Sequence, residues 1–429
     1  MRIDQTELEI QREPFARPFA FKGSAFHEKW NLIVRLRDDT AGKEAFGVGG
    51  LAVLWSDSRV FARHSQMGGN ALMVAILERG LALAKDVGEI AAPAQLLRSI
   101  LPAVEDYARV VTGVSDLSRT FILNALVALD NAAWILWSRN HGATGFDALI
   151  PSQVRDCLAV RQQQLALAPA VGYNMPDEQV RSLLETGAGI LKVKIGHPGD
   201  EREMVAKDIA GLTRLHRLVG DAPTPLTTDG RVAYYLDANG RYTHREPLER
   251  VLDAALHVGL RDRILLLEEP FAADVVEDTD VHGLPVQVAA DESLHDPDDV
   301  ERRRQLGYGA IAIKPAGKTM SVAFDMVAAA QKAQLTAFVA DNACVPWLVE
   351  WNKNIAARLP SFAGVQGGLI ESNGAENYGR WSQMLEQHPC AGADWLAARG
   401  GAYHLDDDYW HQSGGILLDP RPYSDLLRT

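Results

Sequence analysis

Ionisable side chains close five successive apolar runs of this sequence, each run being of strand length. In chain order they are Lys194, Asp237, Glu268, Asp291 and Lys314. A single acid after a strand is usually a turn residue or a helix cap, but three successive strands that end in a carboxylate indicate one shared site. Three carboxylates brought together repel each other unless a cation binds between them. Oxygen ligands without Cys or His are typical of Mg²⁺, so the pattern predicts a magnesium site.

The lysines predict proton transfer beside that site. Lys192 and Lys194 alternate with Val193, so both ammonium groups face the same side of their strand. The alternative is an edge strand with two lysines in solvent. Lys314 follows a strand about half a barrel away and would approach from the opposite side. Because Mg²⁺ and neighbouring cations disfavour a charged amine, we expect the pKa of these lysines to fall toward the range in which an amine accepts a proton.

Strand-length runs alternate with stretches of helical periodicity from about residue 164 onward. The predicted strands are Leu167–Gly172, Leu191–Gly196, Tyr234–Asp237, Ile264–Pro270, Val286–Ser293, Ala310–Pro315, Thr336–Asp341 and Val365–Glu371. The predicted helices between them include Asp200–Val219, Pro247–Val258, Asp296–Gly307, Met320–Ala333 and Pro346–Leu359. This alternation predicts an α/β protein with a (β/α)8-type barrel, in which reactive residues gather at the C-terminal ends of the strands. A doubly wound open sheet is the competing fold, but its GxGxxG fingerprint is missing.

The first 160 residues have a different pattern. It comprises a β-like stretch at Asn31–Leu36, a Gly-rich segment at 47–50 predicted as a loop, and helices around Ala71–Val87, Leu97–Tyr107 and Ser118–Arg139. We therefore predict an N-terminal α+β capping domain over 1–160 and the barrel over 161–380. Residues 381–429 contain no clear βα unit and are expected to pack back on the capping domain.

Composition excludes several classes of protein. The chain has 429 residues, of which 47% are hydrophobic and 23% charged, and a net charge of −13, which is typical of a folded globular protein and argues against nucleic-acid binding. Its three cysteines are far apart and form no CxxC pair, so neither a disulfide framework nor a zinc site is indicated. Without a signal-like segment or an uncharged apolar run of about 18 residues, we expect a cytoplasmic protein that does not associate with membranes.

In the order of its motifs the sequence resembles the enolase superfamily, over about residues 165–370 and more loosely in the capping domain. The motifs are Lys192-Val-Lys194, Asp237-Ala-Asn239, Glu268-Glu-Pro270, Asp291-Glu-Ser293 and Ile313-Lys314, with Ala128-Leu-Asp-Asn-Ala-Ala-Trp-Ile-Leu in the capping domain. The presence of a lysine after strand six resembles the pattern of the muconate-lactonising subgroup. The mandelate-racemase subgroup uses a histidine after strand seven, and no His occurs here between His295 and His388.

The resemblance implies a role for each site residue. Asp237, Glu268 and Asp291 would bind Mg²⁺, with Mn²⁺ as a substitute, and Lys194 and Lys314 would be paired bases on opposite faces of the substrate. Lys192 would contact the substrate carboxylate, and Asn239 would orient a metal ligand. The implied enzyme is a homo-oligomer that removes the α-proton of a small-molecule carboxylate.

Several interpretations stay open at this point. Racemisation or epimerisation needs a base on each face, whereas an acid-sugar dehydratase or a cycloisomerase would use one base and expel a β-substituent. The chain lacks the Asp-x-Asp of dipeptide epimerases over 367–376, which argues against a dipeptide substrate. After strand seven it has Asp341-Asn-Ala-Cys344 where the subgroup often has a glutamate, which argues against the subgroup's hydrogen-bond relay at that position. Alternatives of another class are a metal-free aldolase-type barrel with a Schiff-base lysine and a non-catalytic scaffold.

Loops near residues 15–30 and 47–58 are expected to close over the site. Phe19, Phe21, His27 and Trp55 could line it or pack within the capping domain. Lys318 could bind a distal anion, but we expect it to be solvated.

Overall fold

An antiparallel sheet packed on helices forms the N-terminal part of the chain, which the computed structural model describes over residues 1–21 and 24–428. The strands pair in chain order and are Gln5–Phe21 (β1), Ser24–Asp38 (β2) and Lys43–Gly50 (β3). The helices are Val53–Ser56 (α1), Ser58–Asp86 (α2), Pro93–Thr112 (α3) and Arg119–His141 (α4). The three predicted helices overlap α2, α3 and α4, and the predicted β-like stretch lies within β2. The long hairpin partner β1 was not predicted.

The Gly-rich segment is a strand and not the loop that the sequence predicted. Gly47 and Gly49 lie in β3, whose backbone rests directly on α4. A Cβ on Gly47 would overlap the carbonyl oxygen of Ala128, and one on Gly49 would lie 2.6 Å from the amide nitrogen of Ala128. The glycines therefore permit a close approach of strand to helix rather than a turn.

Eight parallel strands form the central barrel. The first is divided into Gln164–Leu167 (β4) and Ala170–Val171 (β5). The others are Ile190–Lys194 (β6), Ala233–Asp237 (β7), Ile264–Glu268 (β8), Val288–Ala290 (β9), Ala310–Ile313 (β10), Thr336–Val339 (β11) and Gly368–Ile370 (β12). A short strand, Ala402–His404 (β13), pairs antiparallel with β4. Each predicted strand overlaps an observed one, so the predicted (β/α)8-type barrel is confirmed.

The divided first strand closes the barrel. β4 pairs with β12, and β5 pairs with β6. Between them, the amide of Ala168 donates to the carbonyl of Ile370 at 3.2 Å, and the amide of Lys192 donates to the carbonyl of Pro169 at 2.9 Å. The continuous segment 164–171 thus joins the last strand to the second.

Helices surround most of the barrel. They are Asp177–Glu185 (α5), Glu201–Val219 (α6), Arg245–His257 (α7), Pro297–Gln305 (α8), Pro315–Lys318 (α9), Met320–Ala333 (α10), Pro346–Ala356 (α11), Gly374–Asn377 (α12), Trp381–Glu386 (α13) and Asp407–Gln412 (α14). Asp200 caps α6 and Asp296 caps α8 through side-chain hydrogen bonds, which accounts for the helix starts predicted there. No helix is assigned within residues 269–287, all of which the structure describes, so the β8–β9 connection is irregular.

The barrel interior holds a buried apolar cluster that includes Ile190, Tyr235, Leu266, Ala289 and Ala312. The five side chains predicted to form the site follow these core residues along the same strands. Four of them lie two residues further on, and Lys194 lies four residues after Ile190 on β6. Because side chains alternate at period two, the same face of each strand that fills the barrel core also points these groups into the barrel mouth.

Two capping-domain helices, α2 and α4, are long and apolar enough to cross a membrane by length and composition alone. In the most apolar window of α4, 94% of residues are buried inside the protein, where the helix packs against β2 and β3. A helix surrounded by protein is apolar on all sides, which accounts for the composition of α4.

The C-terminal segment contacts both parts of the chain. Lys353 of α11 donates to the carbonyl of Trp395 at 2.7 Å. Further on, Arg139 of α4 pairs with Asp419 at 2.7 Å, and Arg35 of β2 donates to the carbonyl of Leu427 at 2.9 Å. Ser413 also accepts a hydrogen bond from the amide of Phe146 at 2.8 Å, so residues from 413 onward contact the capping domain.

Replacing Gly47 by Ala should destabilise the capping domain. The added methyl group overlaps backbone atoms of α4 that cannot rotate away, so we expect a loss of about 1–3 kcal/mol in the free energy of unfolding. Urea denaturation measures it. Gly172→Ala is the control, because nothing lies within 4 Å of the Cβ added there. Equal stability of the two variants would contradict the close packing of β3 on α4.

Candidate active site

The five predicted side chains lie together at one end of the barrel. Lys194, Asp237 and Glu268 are the last residues of β6, β7 and β8, and Asp291 and Lys314 directly follow β9 and β10. All except Glu268 line a cavity of about 50 Å³. Lys194 keeps 18% of its side chain exposed, whereas the other four expose 5% or less. The structure thus brings together every residue of the predicted set.

Lys192 lies between carboxylates at the wall of the same cavity. Its Nζ is 3.0 Å from Oδ2 of Asp237, 2.6 Å from Oε2 of Glu268 and 3.0 Å from Oε2 of Glu371. The ring of Tyr235 lies 4.7 Å below the ammonium group. The side chain is only 3% exposed, so Lys192 is the positive centre of an acidic cluster.

Lys194 reaches the same acid from the cavity side. Its Nζ donates to Oδ2 of Asp237 at 2.5 Å and to Oδ1 of Asn239 at 2.9 Å. The backbone N–H of Asn239 donates to Oδ1 of Asp237 at 2.9 Å, and the side-chain Nδ2 of Asn239 donates to Oε1 of Glu292 at 3.1 Å. Asn239 therefore orients both Lys194 and Asp237.

Lys314 lies across the barrel, four strands away in the sheet order from Lys194. Its Nζ is 2.6 Å from Oδ2 of Asp291, and Trp55 of the capping domain covers it, with the ring centre 4.5 Å from Nζ. Lys318 lies under the same ring and donates to the carbonyls of Asp291 and Leu294 at 3.0 and 2.7 Å. The expectation that Lys318 is solvated was wrong, because these carbonyls and Trp55 bury it.

Charge shifts the protonation equilibria of the cluster in opposite directions. Burial alone would raise the pKa of Asp237, but Lys192 and Lys194 outweigh it and hold that pKa well below its ordinary value. Burial and the neighbouring Asp237 raise the pKa of Glu268 well above its usual range. Glu268 thus carries the unfavourable part of packing several acids together.

The predicted fall in lysine pKa is not produced by the protein groups alone. Burial lowers the pKa of Lys314, but Asp291, Glu371 and Glu268 outweigh burial, so its pKa lies above the ordinary value. The same balance raises the pKa of Lys192. The prediction from the sequence considered a cation beside these amines but not the number of carboxylates that surround them.

The donor atoms suit a hard cation. Oε1 of Glu268 and Oδ1 of Asp291 are buried and accept no hydrogen bond, and a buried acceptor without a partner is unfavourable. Carboxylate oxygens with no Cys or His among them are ligands that Mg²⁺ prefers. Within residues 1–21 and 24–428, no three His, Cys, Asp or Glu side chains already form a group that could hold a metal ion. The ammonium groups of Lys192 and Lys314 contact the other oxygen of each carboxylate, Oε2 of Glu268 and Oδ2 of Asp291.

Glu268 and Glu269 have separate tasks. Glu268 faces the barrel interior, as the resemblance implied for the first acid of its motif. Glu269, with φ of 38°, turns away and accepts from the amide of Asp291 at 2.7 Å and the hydroxyl of Ser293 at 3.0 Å. It thereby fixes the backbone that carries Asp291.

Sequence reasoning missed two acids at the barrel mouth. Glu371 follows β12 and contacts Lys192, and Asp341, shortly after β11, accepts from the amides of Asn373 and Cys344 at 2.9 and 3.3 Å. Each closes an apolar run, which is the signal that identified the other acids. It could have found these two as well.

Of the four capping-domain residues singled out in the sequence, the structure describes the side chains of Trp55 and His27. Trp55 lines the cavity as proposed, and Phe26, which was not singled out, lines it too. His27 is exposed. The side chains of Phe19 and Phe21 lie outside the part of the chain that the structure describes.

Replacing Lys192 by Met should destabilise the fold strongly. The change removes the positive charge shared by three buried carboxylates, and leaving buried charges unpaired costs about 3–5 kcal/mol. Urea denaturation at neutral pH measures the loss. Lys207→Met, which breaks an exposed pair with Glu203, should change stability by about 0.5 kcal/mol or less. A Lys192→Met protein as stable as this control would mean that the cluster does not depend on Lys192.

Similarity to known proteins is found in the structure and not in the sequence. No family model and no curated protein sequence matches the chain. Solved structures do match. A mandelate racemase/muconate lactonizing protein from Herpetosiphon aurantiacus is 19% identical, with a TM-score of 0.65 over 96% of this chain and 97% of that one.

Two further matching structures contain bound ligands. A dipeptide epimerase from Enterococcus faecalis V583, complexed with Mg and the dipeptide L-Leu-L-Tyr, is 15% identical, with a TM-score of 0.61 over 94% of this chain and 100% of that one. L-Talarate dehydratase from Polaromonas sp. JS666, complexed with Mg and L-glucarate, is 17% identical, with a TM-score of 0.61 over 94% and 92%. Over 94–96% of its length, the chain therefore shares the fold of these solved structures.

Proposed function

We propose that this protein is a Mg²⁺-dependent enzyme that removes the proton α to the carboxylate of a small molecule, and that it racemises or epimerises its substrate. The observation that carries the proposal is the placement of Lys194 and Lys314 on opposite sides of one buried group of carboxylates. Asp237, Glu268 and Asp291 are the proposed metal ligands. The unpartnered oxygens of Glu268 and Asp291 support this assignment.

The chemistry explains why such a site needs concentrated positive charge. Loss of an α-proton from a carboxylate leaves two negative charges on one small fragment. A divalent cation bound to the carboxylate supplies several kcal/mol of stabilisation as that charge grows. Lys192, which lines the cavity between three acids, would contact the same carboxylate.

The two lysines would move the proton. Lys194 has the more accessible amine, since 18% of its side chain is exposed against 5% for Lys314. With Nζ groups on both faces, a proton taken by one lysine can be replaced by a proton from the other, which inverts the carbon centre. Trp55 and Phe26 of the capping domain would exclude water from this exchange.

A second candidate is a dehydratase or cycloisomerase, in which only one lysine removes a proton. The unequal surroundings of the two amines favour it. Lys314 is paired with Asp291 and has a raised pKa, so it could remain charged and act as an acid or an electrostatic partner. The intermediate would then expel a β-substituent, as in acid-sugar dehydration, or close a ring.

Interpretations of another class have less support. A Schiff-base enzyme would use Lys314 or Lys194 as its nucleophile and needs no metal, which leaves the buried carboxylates paired with these lysines without a role. A scaffold would have no reason to retain several mutually repelling acids at one rim. Homo-oligomer formation, a cytoplasmic location and Mn²⁺ substitution stay predictions.

Exchange of α-hydrogen for deuterium tests the proposed reaction. The protein is incubated in D₂O and MgCl₂ with single enantiomers of N-acylamino acids, dipeptides and sugar acids, and mass spectrometry scores α-deuterium. Lys194→Ala and Lys314→Ala should each slow exchange from one enantiomer by about 100-fold or more, because each removes the base on one face. Lys207→Ala should exchange at the wild-type rate.

The same assay separates the alternatives. Loss of water from a sugar acid, with exchange from one enantiomer only, would favour the dehydratase. Full activity in EDTA together with a lysine adduct trapped by borohydride would overturn the proposal in favour of a Schiff-base enzyme. Normal exchange in both lysine variants would show that the bases are wrongly assigned.

Isothermal titration calorimetry with MgCl₂ tests the metal ligands. Asp237→Asn, Glu268→Gln and Asp291→Asn should each weaken Mg²⁺ binding by about 10-fold or more, since each replaces an anionic ligand by a neutral amide. The matched control is Asp341→Asn, at the same rim, because the Asp341 carboxylate already holds two backbone amides. Equal weakening by all four substitutions would indicate a general electrostatic effect and not coordination.

A further inference from the structure

A buried carboxylate outside the barrel mouth organises the backbone beside Lys194. Asp208 lies on α6 and is 1% exposed. Its Oδ2 accepts from the amide of Gly196 at 2.8 Å and from the hydroxyl of Tyr242 at 2.5 Å. Its Oδ1 accepts from the amide of His197 at 3.2 Å and contacts Nδ1 of the same residue at 2.5 Å. The proposed reaction uses none of these groups.

These partners belong to two different loops. Gly196 and His197 follow β6, directly after Lys194, whereas Tyr242 is in the loop that follows β7 and Asn239. A single carboxylate therefore joins the ends of two neighbouring barrel strands. Because it accepts from four donors, its burial leaves no oxygen unsatisfied.

The two loops also contact each other directly. Arg241 donates from Nε to the carbonyl of Gly196 at 3.2 Å. Gly196 has φ of 83°, and a Cβ there would lie 2.7 Å from Cγ of Arg241. The amide of Ile195 donates to the carbonyl of Asp237 at 2.9 Å, and the hydroxyl of Tyr173 donates to the carbonyl of Ile195 at 3.2 Å. The chain just beyond Lys194 is thus tied to the strand that carries Asp237.

The link between the two loops determines where Lys194 lies relative to its hydrogen-bond partners. Its amine is held by Asp237 and Asn239, which lie on the second of the two joined strand ends. A shift of one loop relative to the other by about 1 Å would break hydrogen bonds of this length. Lys314 lies across the barrel and depends on Asp291 and Trp55 instead.

We infer that Asp208, with Tyr242 and His197, is a positioning residue that sets the place of Lys194 against Asp237 and Asn239, and that it serves one face of the site only. The inference rests on the proposed function for the role of Lys194 as a base. The placement itself can be tested without turnover.

Trace acetylation of lysines measures that placement. The full-length protein is treated with a small amount of acetic anhydride, and peptide mass spectrometry gives the rates at Lys194 and Lys314 relative to exposed Lys207. The variants are Tyr242→Phe, which removes one hydroxyl, and Asp208→Asn, which removes the charged acceptor. Tyr234→Phe is the matched control, since its hydroxyl also bonds a side chain of α6, His216, at 3.0 Å.

Release of the amine from its two partners should raise the Lys194 rate at least threefold in both variants, with little change at Lys314. In the α-exchange assay, the variants should slow exchange on the Lys194 face at least tenfold more than on the Lys314 face.

A Lys194 acetylation rate that changes no more than in Tyr234→Phe would overturn the inference, as would equal changes at both lysines. If Asp208→Asn fails to fold, Tyr242→Phe decides alone. Absence of exchange in the wild type would count against the proposed function, while the acetylation result would still decide the role of Asp208.

Discussion

Carboxylates can be buried together at the mouth of a barrel only if positive charge lies among them. This constraint determines the arrangement at the ends of β6 to β10. Lys192 lies within 3.0 Å of three acids, and Lys314 lies 2.6 Å from a fourth, Asp291. Mg²⁺ binds oxygen at about 2.1 Å, so it could not share Oε2 of Glu268 with an ammonium group 2.6 Å away. Oε1 of Glu268 has no such contact, so a cation bound through Oε1 leaves Lys192 in place, whereas a cation bound through Oε2 would displace it.

Strand periodicity explains how much of the site could be predicted from the sequence. The face of each strand that fills the barrel core also carries the reactive group two or four residues later, so alternation and strand ends were sufficient to identify Lys194, Asp237 and Lys314. Glu371 gives the same signal and was overlooked. Lys318 is different, because its burial results from Trp55, which lies more than 250 residues away in the chain, and no local pattern contains that contact.

The fold was also predictable from the pattern of strands and helices. The predictions that were wrong concern contacts between residues far apart in the chain. Eight apolar runs alternating with amphipathic helices leave few architectures other than a barrel. The Gly-rich segment was predicted as a loop because glycine usually marks turns. In the protein, Gly47 and Gly49 let β3 rest on α4, an approach visible only once strand and helix are packed. The raised pKa of Lys314 likewise depends on acids from three other strands.

The two sides of the site are built differently. Lys194 is supported by loops that Asp208 joins, whereas Lys314 is covered by the capping domain and paired with a proposed metal ligand. Epimerases and a dehydratase share this fold at 15–18% identity, so the fold alone does not choose between one base and two. The surroundings of each lysine, rather than the barrel, would make that choice.

Anomalous diffraction from crystals soaked in MnCl₂ locates a bound cation at the barrel mouth. We expect one manganese peak among Asp237, Glu268 and Asp291. A barrel mouth without a manganese peak would contradict the assignment of these three residues as metal ligands.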